Sequence, residues 1–212
     1  MDSKILSSSS KQLFYTLNNH LVTDSSPSKY LSDILTTPEF KEFPFNILYQ
    51  LQFVNQSPVH HPEGNVWNHT LLVVDEAAKR KADCKDPSVF MWAALLHDVG
   101  KPSTTKVRHG KITSYNHEEA GAHLANEFLS LFTDDKVFIK SVCSLVLFHM
   151  QFLFVVKNLQ YANIPAMKQQ SNIHEIALLG LCDRLGRIGS SRLEEEKNIN
   201  IFIKKCDEFE RR

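Results

Sequence analysis

A histidine and an aspartate stand side by side where an apolar run ends. Phe90-Met91-Trp92-Ala93-Ala94-Leu95-Leu96 leads into His97-Asp98, and Val99-Gly100-Lys101 follows. An ionised carboxylate at the inner end of an apolar helix is costly unless something pairs with it, so the stretch reads as half of a buried polar site. His69, His117, His149 and Asp183 each fall on, or at the end of, another apolar helical stripe. Taken singly, such a histidine reads as a core residue bonded to a backbone carbonyl. Taken together, four imidazoles and two carboxylates aimed into one core call for a shared partner, and a divalent transition metal accepts both donor types. His69, His97, Asp98 and Asp183 suffice for one ion, and His117 and His149 offer nitrogen to a second. Asp98 would then bridge the two, as in a two-metal hydrolase. Manganese, iron, cobalt, nickel and zinc all suit these ligands.

The elements that must carry these side chains are helices. Apolar residues recur at helical spacing over residues 11–22 and 29–35, separated by Asp24-Ser25-Ser26-Pro27-Ser28, after a frayed start over 1–10. A compact helix is expected over 45–54. The prolines and glycine of Ser57-Pro58-Val59-His60-His61-Pro62-Glu63-Gly64 then make a loop. Residues 65–82 carry His69, and Asp86-Pro87 is a cap followed by proline at the first helical position, opening the helix that ends at His97-Asp98. A long polar loop follows over 101–115. Asn116-His117-Glu118-Glu119 reads as a capping box, starting a helix that runs to about residue 132. Thr133-Asp134-Asp135 starts the helix of His149, and 152–158 and 165–170 are short connectors. Ser171 or Asn172 caps the helix of Asp183, and 192–212 form a charged last helix. No stretch alternates with period two, so the fold is expected to be all-α, a bundle of about eight or nine helices. Residues 1–44 are expected to pack on the core as an extension, 45–190 to form the main domain, and 191–212 to add a C-terminal helix.

The order His, His-Asp, His, His, Asp around His97-Asp98-Val99-Gly100-Lys101 resembles the HD-domain superfamily of metal-dependent phosphohydrolases. The similarity extends through His60-His61-Pro62-Glu63-Gly64-Asn65-Val66-Trp67-Asn68-His69-Thr70-Leu71-Leu72 and Ala93-Ala94-Leu95-Leu96-His97-Asp98-Val99-Gly100-Lys101-Pro102. It continues in Asn116-His117-Glu118-Glu119-Ala120-Gly121-Ala122 and Asp183-Arg184-Leu185-Gly186-Arg187. These motifs are similar to the C-terminal HD domain of bacterial CCA-adding tRNA nucleotidyltransferases, over roughly residues 45–190. The resemblance implies His69, His97, Asp98 and Asp183 as primary metal ligands. His117 and His149 correspond to the extra histidines of dinuclear members. The residues before the matching region hold no Gly-rich loop with paired aspartates, so the expectation is a free-standing HD protein that does not add CCA.

The implied chemistry is attack of metal-bound hydroxide on phosphorus, with Asp98 holding the metal and Lys101 reaching a non-bridging phosphate oxygen. Arg187 shares Asp183's face and could bind phosphate, although pairing with a carboxylate is the stronger reading for both Arg184 and Arg187. His60, His61 and Glu63 could form a substrate rim or protonate a leaving oxygen. Lys106, Arg108, His109 and Lys111 could draw in a nucleotide or an RNA end. The expected substrate is a phosphorylated small molecule, a nucleotide or a terminal RNA phosphate, either a monoester or a 2′,3′-cyclic diester. The alternative is a non-catalytic, metal-stabilised module that senses a nucleotide or binds a protein.

Composition restricts the field further. Of the 212 residues 42% are hydrophobic, and 24 Lys and Arg balance 24 Asp and Glu, so no global field favours nucleic acid and no extended nucleic-acid surface is expected. Cys84, Cys143, Cys182 and Cys206 form no CxxC pair, which points to reduced thiols and the cytoplasm. Ile5-Leu6 before a serine run is no signal-peptide core, and the longest apolar stretch, 89–96, is too short to cross a membrane.

Overall fold

The computed structural model describes residues 6–209. The fold is all-α apart from one hairpin. In chain order the helices are α1 (Ser8–Thr23), α2 (Ser28–Ile34), α3 (Pro38–Lys41), α4 (Asn46–Tyr49), α5 (Val66–Ala78), α6 (Pro87–Leu96) and α7 (Lys101–Thr104). The hairpin β1 (Thr105–Arg108) and β2 (Lys111–Ser114) comes next. It is followed by α8 (His117–Ser130), α9 (Lys136–Phe148), α10 (Gln151–Val156), α11 (Ile164–Gln170), α12 (Ile173–Leu185) and α13 (Arg192–Phe209).

Helix α6 is the hub. Asp86 caps it by accepting from the backbone N–H groups of Ser88 and Val89, Pro87 occupies its first turn, and every residue from Val89 to Leu96 is buried. A helix that is apolar all round needs neighbours on every side; α1, α5, α9 and α12 supply them. Phe14 of α1 stacks between Trp92 (ring centroids 4.8 Å) and Phe132 (4.2 Å). Asn18 Oδ1 accepts from Trp92 Nε1 at 2.9 Å, which satisfies the one polar atom of that buried indole. Each fully buried side chain of this size contributes about 1.5–3 kcal/mol, and this packing fixes the direction in which α6 delivers His97 and Asp98.

Two glycines set close approaches. A Cβ on Gly100 would lie 2.1 Å from the carbonyl oxygen of His117, so only glycine lets the start of α8 abut the chain just past Asp98. A Cβ on Gly180 would lie 2.3 Å from Phe152, and its absence seats α12 on α10.

Several local expectations are corrected. Residues 101–115 are not a loop but the short helix α7 and the antiparallel hairpin, paired Thr105 with Ser114 and Arg108 with Lys111. The helix expected over 45–54 is α4 followed by a tighter 3-10 turn, Gln50–Phe53. The capping box does not form: Asn116 has φ 59° and its side chain makes no cap hydrogen bond. Helix α1 begins at Ser8, capped by the Ser7 hydroxyl, so residues 8–10 of the expected frayed start are helical, and the rest of that expectation, over 1–5, lies outside the described residues. The uninterrupted apolar stretch 89–96 lies within α6, and a second segment, Lys136–Val156, 21 residues, is long and apolar enough by length and composition to cross a membrane. A turn at His149 and Met150 divides that segment into α9 and α10, and it lines the protein core, where Val142, Leu145, Val146 and Phe152 are buried.

Candidate metal centre

Three helix ends and two helix faces converge at the inner end of α6. His97 and His149 are the C-caps of α6 and α9, and His117 opens α8. His69 lies on the inner face of α5 and Asp183 on that of α12. A helix C-terminus leaves carbonyls without intrahelical partners, and the histidines use them. His97 Nδ1 donates to Ala94 O at 2.8 Å and His149 Nδ1 to Val146 O at 2.7 Å. His117 Nδ1 donates in the same way to Ser114 O, at the end of the hairpin, at 2.7 Å. His69 Nδ1 donates to Glu63 Oε1 at 3.0 Å. Carbonyl and carboxylate oxygens only accept, so all four rings carry a proton on Nδ1 and turn Nε2 inward. This is the arrangement in which an outer hydrogen bond orients a metal-ligating imidazole.

The inward atoms crowd around two carboxylates. His117 Nε2 lies 3.3 Å from Asp98 Oδ1, and His149 Nε2 lies 3.9 Å from the same oxygen. His97 Nε2 is 3.2 Å from Asp98 Oδ2, and His69 Nε2 is 2.9 Å from Asp183 Oδ1. Lys101 Nζ reaches Gln56 Oε1 and Asp98 Oδ2, both at 2.7 Å, and Arg187 Nη2 pairs with both oxygens of Asp183 at 3.1 and 3.2 Å. His97 Nε2 is buried without a hydrogen-bond partner, facing Asp98 Oδ2, whose charge is met by Lys101 at ion-pair distance. Buried orphan lone pairs of this kind are expensive, and a cation removes the cost. His69, His97 and Asp98 form one group with metal-ligand spacing, and Asp98, His117 and His149 form a second. The residues therefore fit divalent metal, with Asp98 common to both groups.

The electrostatics agree with that fit. Burial holds the His149 imidazole down at about 3, helped by His117 and His97, which keeps it neutral. Burial alone would raise Asp98 and Asp183. The neighbouring His97 and Lys101 outweigh it at Asp98, Arg187 and His69 outweigh it at Asp183, and both carboxylates stay ionised. Burial likewise opposes charge on His69, but its hydrogen bonds with Asp183 and Glu63 outweigh burial and raise its pKa.

The centre opens into a cavity of about 710 Å³, lined near the carboxylates by Gln56, Lys101 and Arg187 and farther out by Tyr115, Phe154 and Tyr161. His60 is exposed on its rim. His61 is buried, its Nδ1 donates to Glu63 Oε1 at 2.8 Å, and burial with Arg187 nearby lowers its pKa to about 4. At neutral pH it has no spare proton to give a leaving oxygen. Glu63 is not on the rim but behind His69 and His61, which overcome its burial and hold its carboxyl at about 2. Arg184 points away from the cavity and pairs with Glu195 of α13 at 2.9 Å, while Arg187 pairs with Asp183, so both meet the carboxylates expected of them. Gln56 and the carbonyls of Ala94, Ser114 and Val146 have no signal in the sequence, apart from the recurring offset of three residues between carbonyl and histidine.

A family model described as the HD domain matches residues 66–211, more than half of the chain. The chain belongs to the HD domain family. Among its relatives is the multifunctional CCA protein of Actinobacillus pleuropneumoniae, 39% identical over 90 residues, 40% of this chain and 21% of that protein. The multifunctional CCA protein of Halorhodospira halophila is 45% identical over 71 residues, 32% of this chain and 15% of that one. The A-adding tRNA nucleotidyltransferase of Deinococcus radiodurans is 30% identical over 118 residues, 55% and 24% of the two chains. This HD domain thus spans about a fifth of the length of the curated relatives it matches. The HD domain family is that of metal-dependent phosphohydrolases, and the buried His and Asp groups of this member are suited to divalent metal.

Proposed function

We propose that the protein is a phosphohydrolase using two divalent ions, acting on a nucleotide or terminal RNA phosphate, as a monoester or a 2′,3′-cyclic diester. The observation that carries this reading is the convergence of four Nε2 atoms on two ionised carboxylates at the floor of an open cavity. His69, His97, Asp98 and Asp183 would hold one ion, and Asp98, His117 and His149 the other. When bound, such ions supply Lewis acidity and bring the pKa of water toward neutrality. The side chains do the rest. Asp98, common to both ligand groups, would hold both ions, and Glu63 and the three carbonyls keep the imidazoles aimed. Lys101 and Arg187, already anchored on Asp98 and Asp183, offer positive charge to the phosphoryl oxygens from two sides. His60 belongs to the entry rim, and His61 braces Glu63.

The organisation we assign is a main domain over 45–190 with the 1–44 and 191–212 segments buttressing it, and we assign the reaction to the cytoplasm, in keeping with four free thiols. The test is turnover of p-nitrophenyl phosphate and of 2′,3′-cyclic AMP by chelator-free protein with manganese, cobalt, nickel or zinc, beside Asp98→Ala. Turnover should fall at least about 100-fold in the variant. Equal turnover by both proteins contradicts the assignment, and nucleotide-dependent thermal stabilisation without turnover under any metal would instead mark a sensing module.

A further inference from the structure

The catalytic cavity does not end at its own walls. A second groove of about 500 Å³ runs between α8 and α9, and the two share Leu147 and Gln170 as a common sill. Its α8 side is Ala122, Asn126 and Ser130, one residue per turn and none of them charged. Its α9 side carries Lys136 and Lys140 with Cys143 and Leu147 on the same stripe. No carboxylate lines it. Both lysines are exposed, and neither forms an ion pair or side-chain hydrogen bond among the described residues.

Geometry gives the groove a length scale. Helix α9 ends at His149, a ligand of the second group, and each residue back along it rises about 1.5 Å, which sets Lys140 about 13 Å and Lys136 about 19 Å from that ligand. An extended single strand leaving the centre along the groove would therefore bring one of its next phosphates to Lys140 and a later one to Lys136. Small and neutral side chains on the α8 wall leave room for sugars, and the apolar sill at Leu147 suits the face of a base. A free mononucleotide would leave both lysines unused.

Resting on the function proposed above, we propose that the substrate is the end of a single-stranded polynucleotide, with its terminal phosphate on the metal centre and its next two or three phosphates along the Lys136 and Lys140 groove. This is a short track, consistent with a chain of zero net charge. The base-independent charge contacts make it tolerant of sequence.

Two measurements test it. The first compares kcat/KM for a tetraribonucleotide ending in a 2′,3′-cyclic phosphate with that for the cyclic mononucleotide. The tetranucleotide should be preferred at least about tenfold, and Lys136→Glu/Lys140→Glu should reduce the preference to within about twofold while leaving mononucleotide turnover unchanged. The second follows binding of a fluorescein-labelled tetranucleotide with a 3′-hydroxyl end, ribo and deoxy in separate arms, by anisotropy as salt is raised. The slope of log affinity against log salt should fall by about 1.4 in the double variant, about 0.7 for each of two phosphates. An unchanged slope, or no preference for the longer substrate with mononucleotide turnover intact, overturns the groove alone. Loss of all turnover leaves the anisotropy measurement to decide the groove and bears on the hydrolase reading instead.

Discussion

His117 Nε2 lies 3.2 Å from His149 Nε2, and the Nδ1 proton of each ring is already committed to a backbone carbonyl. Two imidazole lone pairs do not come together in a protein core for their own benefit. The separation is that of two ligands on one ion, since nitrogens each about 2.0–2.1 Å from a tetrahedral zinc are about 3.3 Å apart. Asp98 Oδ1, 3.3 Å from His117 Nε2, completes the triangle.

Glu63 acts through His69. Its Oε1 accepts from His69 Nδ1 and from His61 Nδ1, so Glu63→Gln should lower metal affinity about 10–100-fold, measured by competition with a chromophoric chelator. The helical circular dichroism should be unchanged. Affinity equal to that of the parent protein would show that His69 needs no outer partner.

Gly100→Ala tests the close approach that seats His117. The added Cβ meets the His117 carbonyl oxygen at 2.1 Å and the Gly121 amide nitrogen at 2.5 Å, both of them backbone atoms that cannot rotate aside. The variant should lose about 2–3 kcal/mol in urea unfolding, as overpacking does, and should bind less metal. A midpoint within error of the parent's would mean that α8 can shift freely.

Much of this centre was legible in the residues because each ligand interrupts an apolar stripe or terminates one, and His97-Asp98 does so after eight consecutive buried positions. What supports the ligands was hidden. The backbone carbonyls of Ala94, Ser114 and Val146 carry no residue-type signal, and Gln56 reaches Lys101 across 45 positions of sequence. The hairpin escaped notice because the side chains of Lys106, Val107 and Arg108 are all exposed, so neither face imposes an alternating pattern. The capping-box pattern at Asn116 failed because the left-handed turn there directs the Ser114 carbonyl to His117.

Glu76 ties α5 to α13 and gives the fold a pH dependence. Its carboxylate meets Lys79 at 2.5 Å, Arg80 at 2.7 Å and Arg192 at 3.1 Å. Burial would raise its pKa, but the three cations outweigh burial and hold it at about 2 against 4.5. A carboxyl whose folded pKa is depressed adds stability above the unfolded value and loses it as pH falls toward the folded one. Glu76→Gln should therefore cost about 1–2 kcal/mol at neutral pH, after allowance for the exposed cations, and nothing near the folded pKa. Urea midpoints for both proteins across that acid range check it; a gap that does not narrow would place the effect elsewhere.

The central claim is that these side chains hold two ions across Asp98, and metal content tests it most directly. Protein purified without chelators should carry two equivalents of divalent metal by mass spectrometry, His117→Ala/His149→Ala should carry one, and Asp98→Ala should carry none. A parent protein that binds no divalent metal, or a double variant that binds as much as the parent, would contradict the account.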